Sequence, residues 1–226
     1  MLQLLLWKST FISVNFFQKL FGNRGPRVFH FAYGANVDPK TLQVRGVKPF
    51  STEIWILDDY QLCFSHPGPF AGQGFADIIY NKGHQTFGYL YEISMWDRIR
   101  LHLFELALFF DRHRICWITQ HQKKFYFYKG TDFDQTVLPT CAYLKKITTA
   151  YQRSSISIEE YERNILNHAC LLEMPRQRRT FHFCHPPRFK SKVYYQIKLY
   201  YEKLISKMMM KLYPHPIAGL KNKSTE

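Results

Sequence analysis

The sequence predicts an α+β domain: a mixed sheet, most of its strands able to pair antiparallel, flanked by a few helices. Three observations predict it. Short runs rich in Val, Ile, Phe and Tyr recur through the middle of the chain, most of them bounded by turn residues. Two segments switch to apolar residues at three- and four-residue steps, the signature of a helix with one buried face. The length of 226 residues, 46% hydrophobic and 17% aromatic, suffices for one domain with a substantial core plus appendages. No internal repeat recurs at a fixed period.

The elements follow in chain order. Residues 1–26 are an N-terminal extension holding Lys8, Lys19 and Arg24, Ser9 and Ser13, and no acid. That composition suits a targeting peptide, a mitochondrial address included, or a helix that caps the domain. It lacks a small-x-small cleavage site, and "LQLLLW" is too short to span a bilayer. The domain proper covers 27–180. "RVFHFAY" (27–33) reads as a buried strand closed by Gly34. "DPKTLQVRG" (38–46) reads as a short helix, with Asp38 as N-cap and Pro39 in the first turn. Residues 51–65 hold two strand-like pieces around Asp58-Asp59. Residues 74–81 and 85–94 are further strands, and Lys82-Gly83 between them can make a hairpin turn.

In 95–110, Trp96, Ile99, Leu103, Leu106 and Phe110 keep helical spacing, with Ser94 as cap and Asp97 three residues on. Residues 114–120, 123–130 and 140–146 return to strand character. Residues 157–174 are helical, Ser157 capping and Pro175 following. The segment 181–226 is a basic C-terminal extension. Within it Val193, Ile197, Leu204, Met208 and Leu212 make one stripe among lysines, a basic amphipathic helix over 191–213 stopped by Pro214. Such a helix docks on its own domain, on a membrane or on a partner.

The net charge of +14 is uneven. Residues 38–175 hold 15 basic and 15 acidic side chains, residues 1–37 four and none, and residues 176–226 twelve and two. A neutral body with basic ends suits an anionic surface, nucleic acid or membrane. In the tail, Arg176, Arg178, Arg179, Arg188 and Lys190 interleave with Phe181, Phe183 and Phe189, a pattern that can stack bases while meeting phosphates. Five cysteines without paired spacing (Cys63, Cys116, Cys141, Cys170, Cys184) fit reduced thiols in a cytosol-like compartment better than a disulfide framework.

Two features carry chemistry. A strand that runs into Tyr33-Gly34-Ala35-Asn36 exposes backbone N–H groups with no Cβ in the way, a cradle for a carboxylate or oxyanion. Asn36 can hold the turn through its side chain, and Gly72, Gly74 and Ala76 open a second strand to close approach. Glu105 is the sole acid in the thirteen residues 98–110, flanked by Phe104 and Leu106. Partial burial would raise its pKa from the ordinary value of about 4.3 and let it serve as base and acid near neutral pH. On the wet face of the helix it would do neither.

In this order, "FAYGAN" then a helix, "GFADI", "FGYLYEI" with Gly88, a helix bearing a glutamate, and "AYL" before "SISIEEYERNILNHACLLEMP" resemble the γ-glutamylcyclotransferases over about 28–176. The resemblance implies a small mixed, mostly antiparallel β-barrel with flanking helices. It also implies a reaction: the α-amine of a γ-glutamyl group attacks its own γ-carbonyl, forming 5-oxoproline and releasing an amino acid, a peptide or an amine. It gives Glu105 the role of proton carrier. It gives the glutamyl grip to His30, Phe31, Ala32, Tyr33, Gly34, Ala35 and Asn36, with Gly74, Tyr143 and Tyr161. No metal or cofactor is implied, and the expected compartment is the cytoplasm.

The sequence departs from the family pattern at Leu106, where a glycine commonly follows the glutamate, and at His102, where an aspartate is frequent. Either departure would alter substrate choice or remove activity. The alternative is a non-catalytic member of the fold that binds anionic partners through its basic ends. His182-x-Cys184-His185 and His113-x-x-Cys116 are fragments of metal-site patterns without a second pair.

Overall fold

A computed structural model describes residues 2–22, 25–68, 72–105, 107, 112–153 and 169–172. The elements are α1 (Leu2–Phe21), β1 (Arg27–Ala32), a 3-10 turn (Ala35–Val37), α2 (Pro39–Val44), β2 (Ser51–Pro67), β3 (Gly74–Ser94), α3 (Met95–Phe104), β4 (His113–Gln120), β5 (Lys123–Gly130) and α4 (Cys141–Gln152). Five strands form one sheet in the order β2-β3-β1-β5-β4. All neighbours are antiparallel except β1 and β5.

The sheet is mostly antiparallel, as expected, but it does not close into a barrel. β2 and β4 remain its edges, joined by a side chain rather than a ladder: Gln120 Nε2 donates to the Ile56 carbonyl at 2.9 Å and to Asp58 Oδ2 at 2.6 Å. β2 and β3 make a long two-stranded ribbon of 17 and 21 residues. The expected hairpin turn at Lys82-Gly83 is instead an irregularity inside β3. Residues 74–80 and 85–92 both pair with β2, on either side of a register shift at Asp58/Tyr60. Asp59 there has φ 63° and accepts from Gly83 N at 2.8 Å, so two local kinks bend the ribbon where two separate strands would have needed a reversal. The reversal between β4 and β5 is made by His121-Gln122, both at positive φ, as a tight hairpin requires.

β1 lies in the middle of the sheet, and Phe31 and Ala32 are buried in it. At Gly88 a Cβ would sit 2.2 Å from the Ala32 carbonyl oxygen and 2.6 Å from the Phe31 ring, so the glycine is what lets β1 and β3 pack so closely.

Residues 140–146 are not a strand. Thr140 caps α4, its hydroxyl accepting from Tyr143 N at 3.2 Å, and Leu144, Ile147 and Tyr151 fall on the buried face at helical spacing. The cap and the following apolar stripe outweigh the Cys-Ala-Tyr alternation that reads as a strand. α3 starts where the sequence indicates, with Ser94 Oγ accepting from Asp97 N at 3.1 Å, but it stops at Phe104 rather than 110. Cys141 and Cys170 form a disulfide, against the expectation of reduced thiols throughout, while Cys63 and Cys116 are free. The thiols, 29 residues apart in sequence, are paired because Leu171 bridges Thr140 and brings Cys170 beside the start of α4. Residues 169–172 therefore form a bridge, not the last turn of a helix; the rest of the 157–174 helix, and the basic helix at 191–213, lie outside the described residues.

α1 packs against α3. Phe11 meets Phe104 edge-on at 5.8 Å, Phe17 stacks on Trp96 at 6.1 Å, and Arg100 Nη2 donates to Asn15 Oδ1 at 2.7 Å and to Gln18. Its outer side leaves Leu5, Ile12, Phe16 and Leu20 exposed. Among the described residues no helix is long and apolar enough to cross a membrane.

Candidate active site

The first glycine turn, the end of α3 and the end of α2 converge. After β1 the chain enters Gly34, and Val37 N donates to the Gly34 carbonyl at 3.0 Å, closing the 3-10 turn. The Tyr91 hydroxyl donates to the Asn36 carbonyl at 3.1 Å and holds the turn from beneath. A Cβ on Gly34 would lie 3.1 Å from Ala76 Cβ and 3.3 Å from the Tyr143 hydroxyl. Turn, β3 and α4 therefore meet over a residue without a side chain. The Tyr143 oxygen accepts from Ala76 N at 3.3 Å and lies near the Ala35 N–H. Burial pushes its phenol pKa up, so it stays protonated.

Asn36 does not hold its own turn with its side chain. Its Nδ2 donates to Glu105 Oε1 at 3.0 Å and its Oδ1 accepts from Arg45 Nη1 at 2.8 Å. Arg45 Nη1 donates also to Glu105 Oε1, closing a three-membered cluster. Glu105 stands just past the last turn of α3, its N–H on the Leu101 carbonyl at 2.8 Å. Ending the helix there swings the carboxylate off the helix face and toward the turn. His113, at the start of β4, donates from Nδ1 to the Glu105 carbonyl oxygen at 2.5 Å and lies 4.0 Å from Oε2. The Glu105 and Arg45 side chains are 16% and 15% exposed, mostly buried where the turn, α2 and α3 meet.

The expected rise in the Glu105 pKa is reversed. Burial pushes it up, but the charges of Arg45 and His113 and the hydrogen bonds from Arg45 and Asn36 win, bringing it down to about 2. Behind the site runs a polar rail that ends on a guanidinium. Tyr33 donates through its hydroxyl to the Tyr128 carbonyl. The Tyr128 hydroxyl pairs with His102 Nδ1 at 2.7 Å, and Arg98 Nε donates to His102 Nε2 at 2.9 Å. With Nε2 accepting, Nδ1 carries the imidazole proton. Burial, with Arg98 and His30 nearby, lowers the His102 pKa to about 3. The family's aspartate position is thus filled by an uncharged group that both donates and accepts.

The structure places the other expected residues as follows. His30 is buried between the rings of Tyr126 and Tyr128, at 4.9 and 5.2 Å, and burial lowers its pKa to about 4. Phe31 packs on Phe125, and Ala32 lies beneath Gly88. All three are buried in the strand that leads into the turn, His30 and Ala32 on one face of β1 and Phe31 on the other. Gly74 lies against the Phe64 carbonyl, where a Cβ would come within 2.4 Å, and against Val137; the residue of β3 that meets the turn is Ala76. Tyr161 and Leu106 lie outside the described residues. Arg45 and His113 escaped the sequence reading. The signal for Arg45 was the short helix itself, because six residues capped by Asp38 carry the chain back beside Asn36. His113 was visible only as half of a metal-like spacing. Among the described residues, no group of three or more His, Cys, Asp and Glu side chains could hold a metal ion.

No family profile matches the chain, and no curated protein matches it in sequence. Its likeness is in structure. A solved structure named γ-glutamyl cyclotransferase superposes with a TM-score of 0.55 at 16% identity, covering 76% of this chain and 98% of that one. A human protein described as uncharacterized protein loc79017 superposes with a TM-score of 0.56 at 17% identity, covering 77% and 99%. YkqA from Bacillus subtilis gives 0.52 at 17%, covering 68% and 59%. The chain has the γ-glutamyl cyclotransferase-like fold. Over 27–152 it keeps that architecture as an open five-stranded sheet with helices packed on it.

Proposed function

We propose that this protein is a γ-glutamylcyclotransferase, releasing 5-oxoproline from a γ-glutamyl amino acid, peptide or amine. The observation that carries the reading is the 3.0 Å hydrogen bond between Asn36 of the first glycine turn and the Glu105 carboxylate, residues 69 apart in sequence. The fold shared with a structure named γ-glutamyl cyclotransferase supports it.

The substrate's α-ammonium sits at Glu105, and its γ-carbonyl lies over the turn. Glu105 takes one proton from the ammonium. The freed amine attacks the γ-carbon, forming the ring C–N bond, and the carbonyl electron pair moves to oxygen. Backbone N–H groups of the Tyr33–Asn36 turn hold that oxyanion, preorganised by the strand and by Tyr91. The ring nitrogen still carries a second proton. As collapse breaks the bond to the leaving nitrogen, Glu105 returns the first proton to it, then takes the second from the ring nitrogen and passes it on. A neutral lactam remains and the amine departs as an ammonium. Nucleophile and electrophile belong to one molecule, so most of the rate comes from folding the substrate onto itself. The proton transfers contribute roughly 10²–10⁴-fold.

The test is to incubate the protein with a γ-glutamyl amino acid, glutathione and a γ-glutamyl amine, and to follow 5-oxoproline by NMR. Release from at least one of them is expected. None from any would remove the reading.

A further inference from the structure

We infer that Arg45 is the specificity-determining residue of this site: it pairs with Glu105 before substrate arrives and transfers to the substrate's α-carboxylate on binding, so that only a head group carrying both an α-ammonium and an α-carboxylate frees the base. The inference rests on the cyclisation reading for the step that follows binding, but not for the recognition itself.

The cluster is built for an exchange of charge partners. Arg45 Nη1 donates to Glu105 Oε1 and, at 2.8 Å, to Asn36 Oδ1. Both charged side chains keep some exposure, so a ligand can reach either one. The α-carbon of a glutamyl group carries a positive and a negative group one bond away on each side. When it docks, the single protein pair becomes two: ammonium on Glu105, carboxylate on Arg45. No charge is left buried and alone, which is the arrangement that costs several kcal/mol. A ligand with the ammonium but no carboxylate cannot complete the exchange. Either Arg45 stays on Glu105 and repels the ammonium, or it leaves and has no anion to meet.

Asn36 suits the role of pivot, since its amide holds Glu105 from one side and accepts from Arg45 on the other. A guanidinium fork matches a carboxylate with two parallel donors, which a lysine cannot do. The exchange also resolves a chemical difficulty. While Arg45 sits on it, the Glu105 carboxylate is held near 2, a feeble base for an ammonium. Drawing the guanidinium away restores its basicity when a proton must be taken.

The probes are γ-glutamyl-L-alanine and 4-aminobutyryl-L-alanine, which differs only in lacking the α-carboxylate. Affinity is measured by calorimetry on the full chain, with ring closure followed in parallel by NMR. The wild type is expected to bind the γ-glutamyl compound at least tenfold more tightly. In Arg45→Met that preference is expected to vanish, and in Arg45→Lys to shrink, with melting curves confirming a folded protein. If Arg45→Met does not fold, the lysine variant alone decides, because a purely structural arginine would leave the preference intact there. Equal affinities in the wild type, binding of neither probe, or an undiminished preference in the folded variants would overturn the assignment. A preference that depends on Arg45, without any 5-oxoproline from the wild type, would leave the assignment standing and remove the cyclisation reading.

Discussion

At Glu105 two influences oppose each other: burial favours the neutral acid, and a guanidinium with an amide donor favours the anion. The anion wins, and the sign of that outcome sets a testable pH dependence. A carboxyl whose folded pKa is about 2, against an ordinary 4.5, binds fewer protons folded than unfolded between those values. Its stabilisation is fully present above about pH 4.5 and is lost as pH falls toward about 2. Urea midpoints measured from pH 5 to pH 2.5 are expected to fall more steeply for the wild type than for Glu105→Gln, which has nothing to titrate there. Parallel slopes would mean that the carboxyl is not held by Arg45. Asn36→Leu removes both of its hydrogen bonds and leaves the Glu105–Arg45 pair short of a donor and an acceptor. It is expected to lower kcat/KM about tenfold or more and to cost about 1–3 kcal/mol in unfolding experiments. At this scale the sequence pointed to the carboxyl and the turn that the fold brings together, because an isolated acid among apolar residues and a strand ending in glycine are local signals. It hid Arg45, because an ion pair spanning 60 residues exists only once the fold has formed.

Where elements meet, backbone proximity decides more than propensity. β1 and β3 pack so closely at Gly88 that even a methyl group would meet the Ala32 carbonyl. Gly88→Ala is expected to destabilise the protein by about 1–3 kcal/mol through overpacking, read as a lowered urea midpoint with an unchanged m-value. An unchanged midpoint would mean that the two strands are less tightly apposed. The starts of α2 and α3 were legible from their capping residues, Asp38 and Ser94. α4 was misread although Thr140 stood ready to cap it, because β-branched and aromatic residues in a seven-residue window mimic strand alternation. The end of α3 was misread because apolar spacing continues past Phe104, while the chain turns out of the helix at Glu105. That early stop is what brings the carboxyl to Asn36 and Arg45, and apolar periodicity carries no trace of it.

For the molecule as a whole, acid sensitivity should begin well above the carboxyl range. Burial holds His30, His102 and His66 neutral, with pKa values lowered to about 4, 3 and 2 from an ordinary 6.5. The unfolded chain takes up these protons first, so the melting temperature is expected to decline as pH falls below about 6.5 and to continue falling toward pH 4. A flat profile between pH 6.5 and 5 would place those imidazoles in water. The Cys141–Cys170 bond closes a loop with a sequence separation of 29, and reducing it is expected to cost ~3.6 kcal/mol on the chain-entropy scale. The overall α+β plan was readable from strand-rich runs and two helical stripes. The open sheet was not, since closure depends on whether β2 and β4 find a common ladder, and here they meet through side chains, Gln120 on the Ile56 carbonyl and His66 against His113.

In the proposed cyclisation the Glu105 carboxylate moves the proton that lets a bound glutamyl group close on itself. The most direct test is the rate of 5-oxoproline formation by Glu105→Gln and by the wild type, at saturating γ-glutamyl substrate and pH 8, well below the melting temperature measured for each. The amide keeps the shape but cannot accept a proton, so a drop of roughly 10²–10⁴-fold with the fold intact is predicted. Turnover equal to the wild type would contradict the account.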